Sequence, residues 1–103
     1  MNSLAPAAFA AKDPAETVWL AFDFSALAGS LALFGPVVTV AEPSGTDTNP
    51  AALLAGAPTL QGTTVLQRVQ GGQAPLNYRL RAQVDATDGS RWVLVGVLPV
   101  RAG

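Results

Sequence analysis

Seven carboxylates, Asp13, Glu16, Asp23, Glu42, Asp47, Asp85 and Asp88, are the groups in this sequence best suited to acid–base work. Catalysis by such groups requires two of them in one pocket, in surroundings that drive their pKa values apart. Most of the seven fall at expected turns or strand ends, where contact with water accounts for them, and no spacing among them calls for a shared pocket. Glu42 and Asp47 share one polar loop and offer the oxygen ligands a calcium ion accepts, but the EF-hand spacing is missing and ordinary turn chemistry explains both. Histidine and cysteine are absent. That removes the usual general base near neutral pH, the common zinc ligands, disulfides and the standard partners of an activated nucleophile. The sequence points to no catalytic residue, no metal and no cofactor, and the expectation is a protein that is not an enzyme.

Arg79 and Arg81 stand two apart on one face of an alternating run and form a small basic stripe with Arg68 or Arg91. In an otherwise neutral chain such arginines pair more often with a carboxylate such as Asp85, or one on a neighbouring subunit, than with phosphate. Gly71-Gly72 is followed by no helix carrying a lysine, so it reads as a turn with positive φ and not as a phosphate cradle. Six basic against seven acidic residues leave a net charge of −1. Without a basic cluster, the counterion release that drives nucleic-acid binding has no source, and nucleic acid is discounted as a partner. Hydrophobic residues make up 50% of the chain and charged residues 13%, against about a quarter charged in an average soluble domain. Some apolar surface is therefore expected to be covered by other chains, with a homo-oligomer as the expected state. Trp19, Trp92 and Leu94 are the candidate protein-interface residues, because large side chains beside polar neighbours are the usual anchors of contacts. Packing in the core is the competing role for all three.

The elements that must position these groups are strands. At 103 residues the chain is long enough to bury one core without metal or disulfide staples. Residues 1–15, rich in Ala and Pro and closed by Lys12-Asp13-Pro14, are too short, and too polar at their end, to bury a helix face. They read as an extended N-terminal arm, either disordered or ordered on a neighbouring subunit, ahead of a domain spanning 16–103. From Thr17 the pattern is two-fold, with Val18, Leu20, Phe22 and Phe24 on one face and Trp19, Ala21 and Asp23 on the other. Leu31 to Phe34 and Val37 to Val40, split by Gly35-Pro36, give one or two further strands. Glu42 to Pro50 is turn chemistry and predicts the longest exposed loop. Asn49 and Pro50 then start a single helical turn over Ala51 to Ala55, stopped by Gly56, or Leu53 and Leu54 enter a strand instead.

Thr63 to Val69 alternates with neither face plainly apolar. Tyr78, Leu80, Ala82 and Val84 against Arg79, Arg81, Gln83 and Asp85 is the cleanest alternation, one core face and one wet face. Asp88-Gly89 closes a hairpin onto a return strand, Arg91 to Val100. A two-residue type I′ turn puts Val84 opposite Val93, whereas a type I turn with a Gly89 bulge puts it opposite Trp92, and that one residue of register exchanges the faces. The return strand is apolar on both sides, as suits a covered central strand or a subunit contact. About six or seven short strands with no long helical period predict an all-β antiparallel sandwich or small barrel.

No run approaches the ~18 uninterrupted apolar residues of a membrane span; Trp92 to Val100 is about half that length and contains Gly96 and Pro99. The Ala-rich stretch Leu4 to Ala11 has no basic residue before it and is broken by Pro6, a poor match to a signal peptide. These features predict no membrane partner and a protein retained in the cytoplasm where it is made.

Lys12-Asp13-Pro14 with Glu16 leading into Phe22-Asp23-Phe24-Ser25, Leu54-Ala55-Gly56-Ala57-Pro58, Gly62 to Val69 with Gly71-Gly72, and Tyr78-Arg79-Leu80-Arg81 with Asp88-Gly89 and Leu98-Pro99-Val100 carry a family likeness. Together they resemble the small structural proteins of tailed phages, of the fiber-tail adaptor or head–tail connector type. The motifs cover most of the chain and consist of structural residues. The chain departs from such proteins at Leu31 to Phe34, where they often have Ala or Ser. The resemblance implies an Ig-like β-sandwich in a bacteriophage virion assembled in the host cytoplasm. It places the protein in, or bound to, a symmetric ring at the neck or tail, with portal, adaptor, tail or fiber components as partners, and it implies no catalytic residues. In a ring, many weak contacts add into a durable one, since each further contact is effectively intramolecular. A capsid decoration protein is the alternative within that class. A carbohydrate- or host-surface-binding β-sandwich module using Trp19 or Trp92 is the alternative outside it.

Overall fold

Wherever apolar and polar residues alternate in the sequence, the backbone is extended. The computed structural model describes residues 7–41, 47 and 49–102; residues 1–6 of the arm and residues 42–46 and 48 of the predicted long loop lie outside the described residues. Among the described residues seven strands follow in order: β1 (Ala7–Ala8), β2 (Val18–Asp23), β3 (Leu33–Ala41), β4 (Thr59–Gln61), β5 (Thr64–Val69), β6 (Leu76–Ala86) and β7 (Arg91–Val100). One helical turn, α1 (Ser25–Ala28), separates β2 from β3, and a 3-10 turn (Pro50–Leu53) precedes β4. The strands form two sheets, one in the order β1-β7-β6-β3 and one in the order β2-β5-β4. All pairs are antiparallel except the short β1–β7 pair.

The inward faces of the two sheets share one core, so the arrangement is sandwich-like. Leu20 and Phe22 of β2 and Val65 and Val69 of β5 pack with Val38 of β3, Tyr78, Leu80, Ala82 and Val84 of β6, and Leu98 and Val100 of β7. Each of the valines, leucines and the phenylalanine among them, taken fully from water, contributes about 1.5–3 kcal/mol before the cost of ordering it, and Ala82 less. On β6 the expected division holds: Tyr78, Leu80, Ala82 and Val84 are buried while Arg79 and Arg81 are exposed. On β5 the inward row is Val65, Gln67 and Val69, with a buried glutamine opposite Leu20.

Loop chemistry sets the registers. Gly62, with φ 63, is the first of two loop residues between Gln61 and Thr64, as a type II′ hairpin requires. Between β6 and β7, Gly89 N donates to Ala86 O at 3.0 Å and Ala86 N to Ser90 O at 2.7 Å, with Gly89 at φ 92. This is the type I turn with a glycine bulge, and it sets Val84 opposite Trp92. Trp92, Leu94, Gly96, Leu98 and Val100 therefore share the core-facing row of β7, leaving Val93, Val95 and Val97 on the outer face. Leu31 to Val40, which the sequence allowed as one or two strands, is a single strand from Leu33 with a bulge at Gly35-Pro36. Asn49 and Pro50 do begin the helical turn, although the Asn49 side chain makes no capping bond.

From Ala7 onward the N-terminal segment lies along its own chain. Ala7 and Ala8 pair with Gly96 and Val97, Phe9 N donates to Val97 O, and Lys12 bridges to Val100. Phe9 places its ring over Gly96, where no side chain interferes, and meets Phe22 of the opposite sheet edge-on with centroids 5.3 Å apart. The ring thereby spans the gap between the sheets at the open side of the core.

Candidate functional site

The three residues singled out for contacts divide, Trp19 on an outer face and Trp92 and Leu94 towards the core. Trp19 stands on the outer face of β2, 57% exposed, with the Arg68 guanidinium 5.9 Å from its ring centroid. That stacking follows from the register, since Trp19 and Arg68 are direct cross-strand neighbours. Trp92 and Leu94 lie on the core-facing row of β7 and pack, partly buried, against the core cluster. Phe34 and Val37, at 52% and 49% exposure, flank the bulge of β3 and are the other large exposed apolar side chains among the described residues.

β2 is also the free edge of the smaller sheet, with β5 on one side and no strand on the other among the described residues. Phe24 N donates to Thr63 O at 2.8 Å. Antiparallel ladders alternate, so Phe22 and Leu20 also turn their backbone groups to β5, and Trp19, Ala21 and Asp23 turn theirs to the free edge. Across that edge stands the N-terminal segment. Between the two runs a groove of about 450 Å³ lined by Phe9, Lys12, Glu16, Val18, Trp19 and Ala21, among others. A second, more polar hollow of about 550 Å³ lies near Asp47, Asn49 and the Gly71-Gly72 turn.

The polar groups under these surfaces tie loops together. Tyr78 is buried, its hydroxyl donating to Asp47 Oδ2 at 2.5 Å and accepting from Gln73 N at 2.9 Å. Burial, then the Asp47 carboxylate, push its pKa up. Lys12 is only 1% exposed, and its Nζ donates to the carbonyls of Asp13 (2.9 Å) and Gly71 (2.5 Å). Burial lowers its pKa, while the nearby Glu16 and Asp13 act in the opposite direction. Buried Gln67 donates through Nε2 to Gly56 O and Arg68 O, and its Oε1 has no partner among the described residues. Asp23 accepts from Ser25 N at 2.9 Å, which holds its carboxyl below the usual range.

Asp85 pairs with Arg91 at 2.7 Å and not with Arg79 or Arg81. The hairpin register decides this, because Asp85 and Arg91 are opposite one another. Arg81 instead donates to Gln83 Oε1 at 3.2 Å. Among the described residues no group of three His, Cys, Asp or Glu side chains is placed to hold a metal ion, and no helix is long and apolar enough to cross a membrane.

The sequence model of one family, described as podophage GP4 fiber-tail adaptor protein gp77, matches residues 12–96, from the Lys12 bridge to the glycine under Phe9. The chain belongs to this family. It is thus linked to phage structural proteins over most of its length, and no curated protein matches it.

Several of the residues that organise these surfaces escaped sequence reasoning. Phe9 sits in an Ala-rich run with no alternation, and its signal was the partner it requires: a lone glycine, Gly96, inside an apolar strand marks a close approach. Lys12 read as a turn residue, and nothing local announces its burial. Asp47 and Tyr78 are far apart in sequence and meet only through the fold.

Proposed function

We propose that this protein is a non-enzymatic structural component of a tailed-phage virion, an adaptor at the tail or neck that joins other virion proteins through its sheet surfaces and N-terminal segment. Its family membership over residues 12–96 carries the reading. An Ig-like sandwich is the finer fold assignment. With β2 to β7 as strands B to G, the smaller sheet runs B-E-D and the larger contains G-F-C, the order of an immunoglobulin sandwich. Tyr78, near the start of strand F with its hydroxyl bonded to the backbone N–H five residues upstream, fits the tyrosine corner of such domains.

The mechanism is passive binding energy multiplied by symmetry, with fiber, tail or portal components as partners, assembly in the host cytoplasm, and no need for nucleic acid, membrane or cofactor. Exposed Trp19 and the half-exposed valines of β7 support such contacts. Trp92 and Leu94 join the contact only through their exposed portions. Deletion of the gene, followed by cryo-electron microscopy of the particles, tests this. Particles are expected to keep heads and lose a component at the neck or tail, together with whatever it attaches. Intact tails and fibers, or absence of the protein from purified wild-type particles, would refute it. A copy number matching the capsid shell instead points to a decoration protein. Glycan binding lost on Trp19→Ala points to a host-surface module, the reading that an exposed indole also favours.

A further inference from the structure

We propose that β2 pairs antiparallel with β2 of a second copy about a two-fold axis at Ala21, joining two three-stranded sheets into one of six strands. Strand edges present unpaired N–H and C=O groups, and soluble proteins protect them by shortness, proline, charge, a bulge or a covering segment. The larger sheet ends on β3, interrupted by the Gly35-Pro36 bulge, and on the two-residue β1, which with Lys12 covers β7 at Gly96, Val97 and Val100. The smaller sheet ends on β4, three residues long, and on β2. β2 runs for six residues as Val-Trp-Leu-Ala-Phe-Asp, without proline, lysine, bulge or covering strand among the described residues. Among the described residues it is the longest uninterrupted run of edge backbone with no strand paired to it, the N-terminal segment standing across a groove from it.

Charge identifies the occupant as another copy and fixes the register. On the outer face of the smaller sheet, Arg68 and Asp23 are the charged residues, and they lie at opposite ends of it. Trp19 is opposite Arg68 and Asp23 opposite Thr64, about 13 Å apart along the strands at ~3.3 Å per residue. They form no ion pair within the chain. The Arg68 side chain reaches from β5 over Trp19, towards the open edge. Antiparallel pairing centred on Ala21 matches Trp19 with Asp23 of the second copy, so that each Arg68 meets an Asp23 carboxylate across the axis. It is also the register in which the outward backbone groups of Trp19, Ala21 and Asp23 all find partners. Such a contact is isologous, with the same patch used twice. The small alanine at the axis keeps the centre free of side-chain clash.

The inference deepens the assembly role proposed above and rests on it only for its use in the particle, because self-association is read on the purified protein alone. Sedimentation and light scattering should show the mass rising from 10.5 kDa towards twice that value with concentration, with the Trp19 fluorescence shifting to the blue. Ala21→Pro removes an N–H that points to the open edge and leaves the β2–β5 ladder intact. Ala21→Lys sets two ammonium groups against each other on the axis and serves should the proline variant fail to fold. Each is expected to weaken association at least about tenfold, with unchanged circular dichroism. Asp23→Arg and Arg68→Asp should each weaken it, and the double exchange should restore it. A monomer at every concentration, as expected if a different protein holds the edge, overturns the proposal. So does undiminished association of a folded Ala21 variant, or a double exchange that recovers nothing.

Discussion

Substituting Gly96 by alanine should cost stability only while Phe9 is present. An added Cβ would overlap Cε2 of the Phe9 ring and lie 2.7 Å from Cζ, so the ring must leave its place between the sheets and lose its edge contact with Phe22. Phe9 is partly buried, so removing its ring by Phe9→Ala is worth about 2 kcal/mol, below the 3–5 typical of a fully buried phenylalanine. Gly96→Ala forfeits a similar amount but gains about 0.5–1 kcal/mol, because alanine loses less backbone entropy than glycine in a strand. The net cost is about 1–1.5 kcal/mol, which lowers Tm by roughly 4–12 °C for a domain of this size. In the Phe9→Ala background the clash is gone, and Gly96→Ala should stabilise by about 0.5–1 kcal/mol. The coupling between the two sites is then about 2 kcal/mol. Urea unfolding of the four proteins, followed by circular dichroism, measures it. An equal cost of Gly96→Ala in both backgrounds would refute the docking of the N-terminal segment on β7.

Gly72, at φ 90 with a hypothetical Cβ 3.0 Å from Val100 Cγ2 and 3.2 Å from Leu53 Cδ1, combines backbone and packing constraints. Gly72→Ala should destabilise by about 2 kcal/mol or more in denaturant titration. Tyr78→Phe breaks the bonds to Asp47 and Gln73 N and should cost about 1–2 kcal/mol at neutral pH. Because the Tyr78 pKa is raised in the folded protein, its contribution is complete below the ordinary tyrosine value and is lost as pH rises through the folded value. The gap between wild type and Tyr78→Phe should therefore narrow in strong alkali, and a constant gap contradicts the assignment. Lys12 has the opposite sign: its folded pKa is lowered, so the buried charge weakens the fold below that value. Relative to Lys12→Met, the wild type should gain stability as pH rises towards the ordinary lysine range. Unfolding midpoints of the pair at neutral and alkaline pH check this, and a gap that fails to move that way removes the argument.

The alternation of β2 and β6 was legible residue by residue, because burying one sheet face constrains every second side chain and the others can stay polar. The hairpin at Asp88-Gly89 was equally plain in composition, yet its register stayed open between two turns that both accept glycine. Hydrogen bonding at Ala86 and Ser90 chose the bulged form, and with it which face of β7 carries Trp92 and Leu94. Trp19 was placed correctly on the face opposite Leu20 and Phe22, since alternation along one strand suffices for that. The short elements α1 and β4 left no signal, each being too brief for a period to register.

Sequence alone thus determined the β class, the faces of its two clearest strands, the unsuitability of its residues for histidine- or thiol-based chemistry, and the likeness to phage structural proteins. Those properties depend on neighbours along the chain and on which chemical groups are present. Only the tertiary structure decided that Phe9 closes the core over Gly96, that Lys12 and Gln67 are buried, that Tyr78 meets Asp47, and that among the described residues no strand pairs with the outer edge of β2. Each of these depends on which distant segment arrives beside another, and the free energy of such contacts is shared between residues far apart in sequence, of which Gly96 alone, as a lone glycine in an apolar strand, hints that something approaches it.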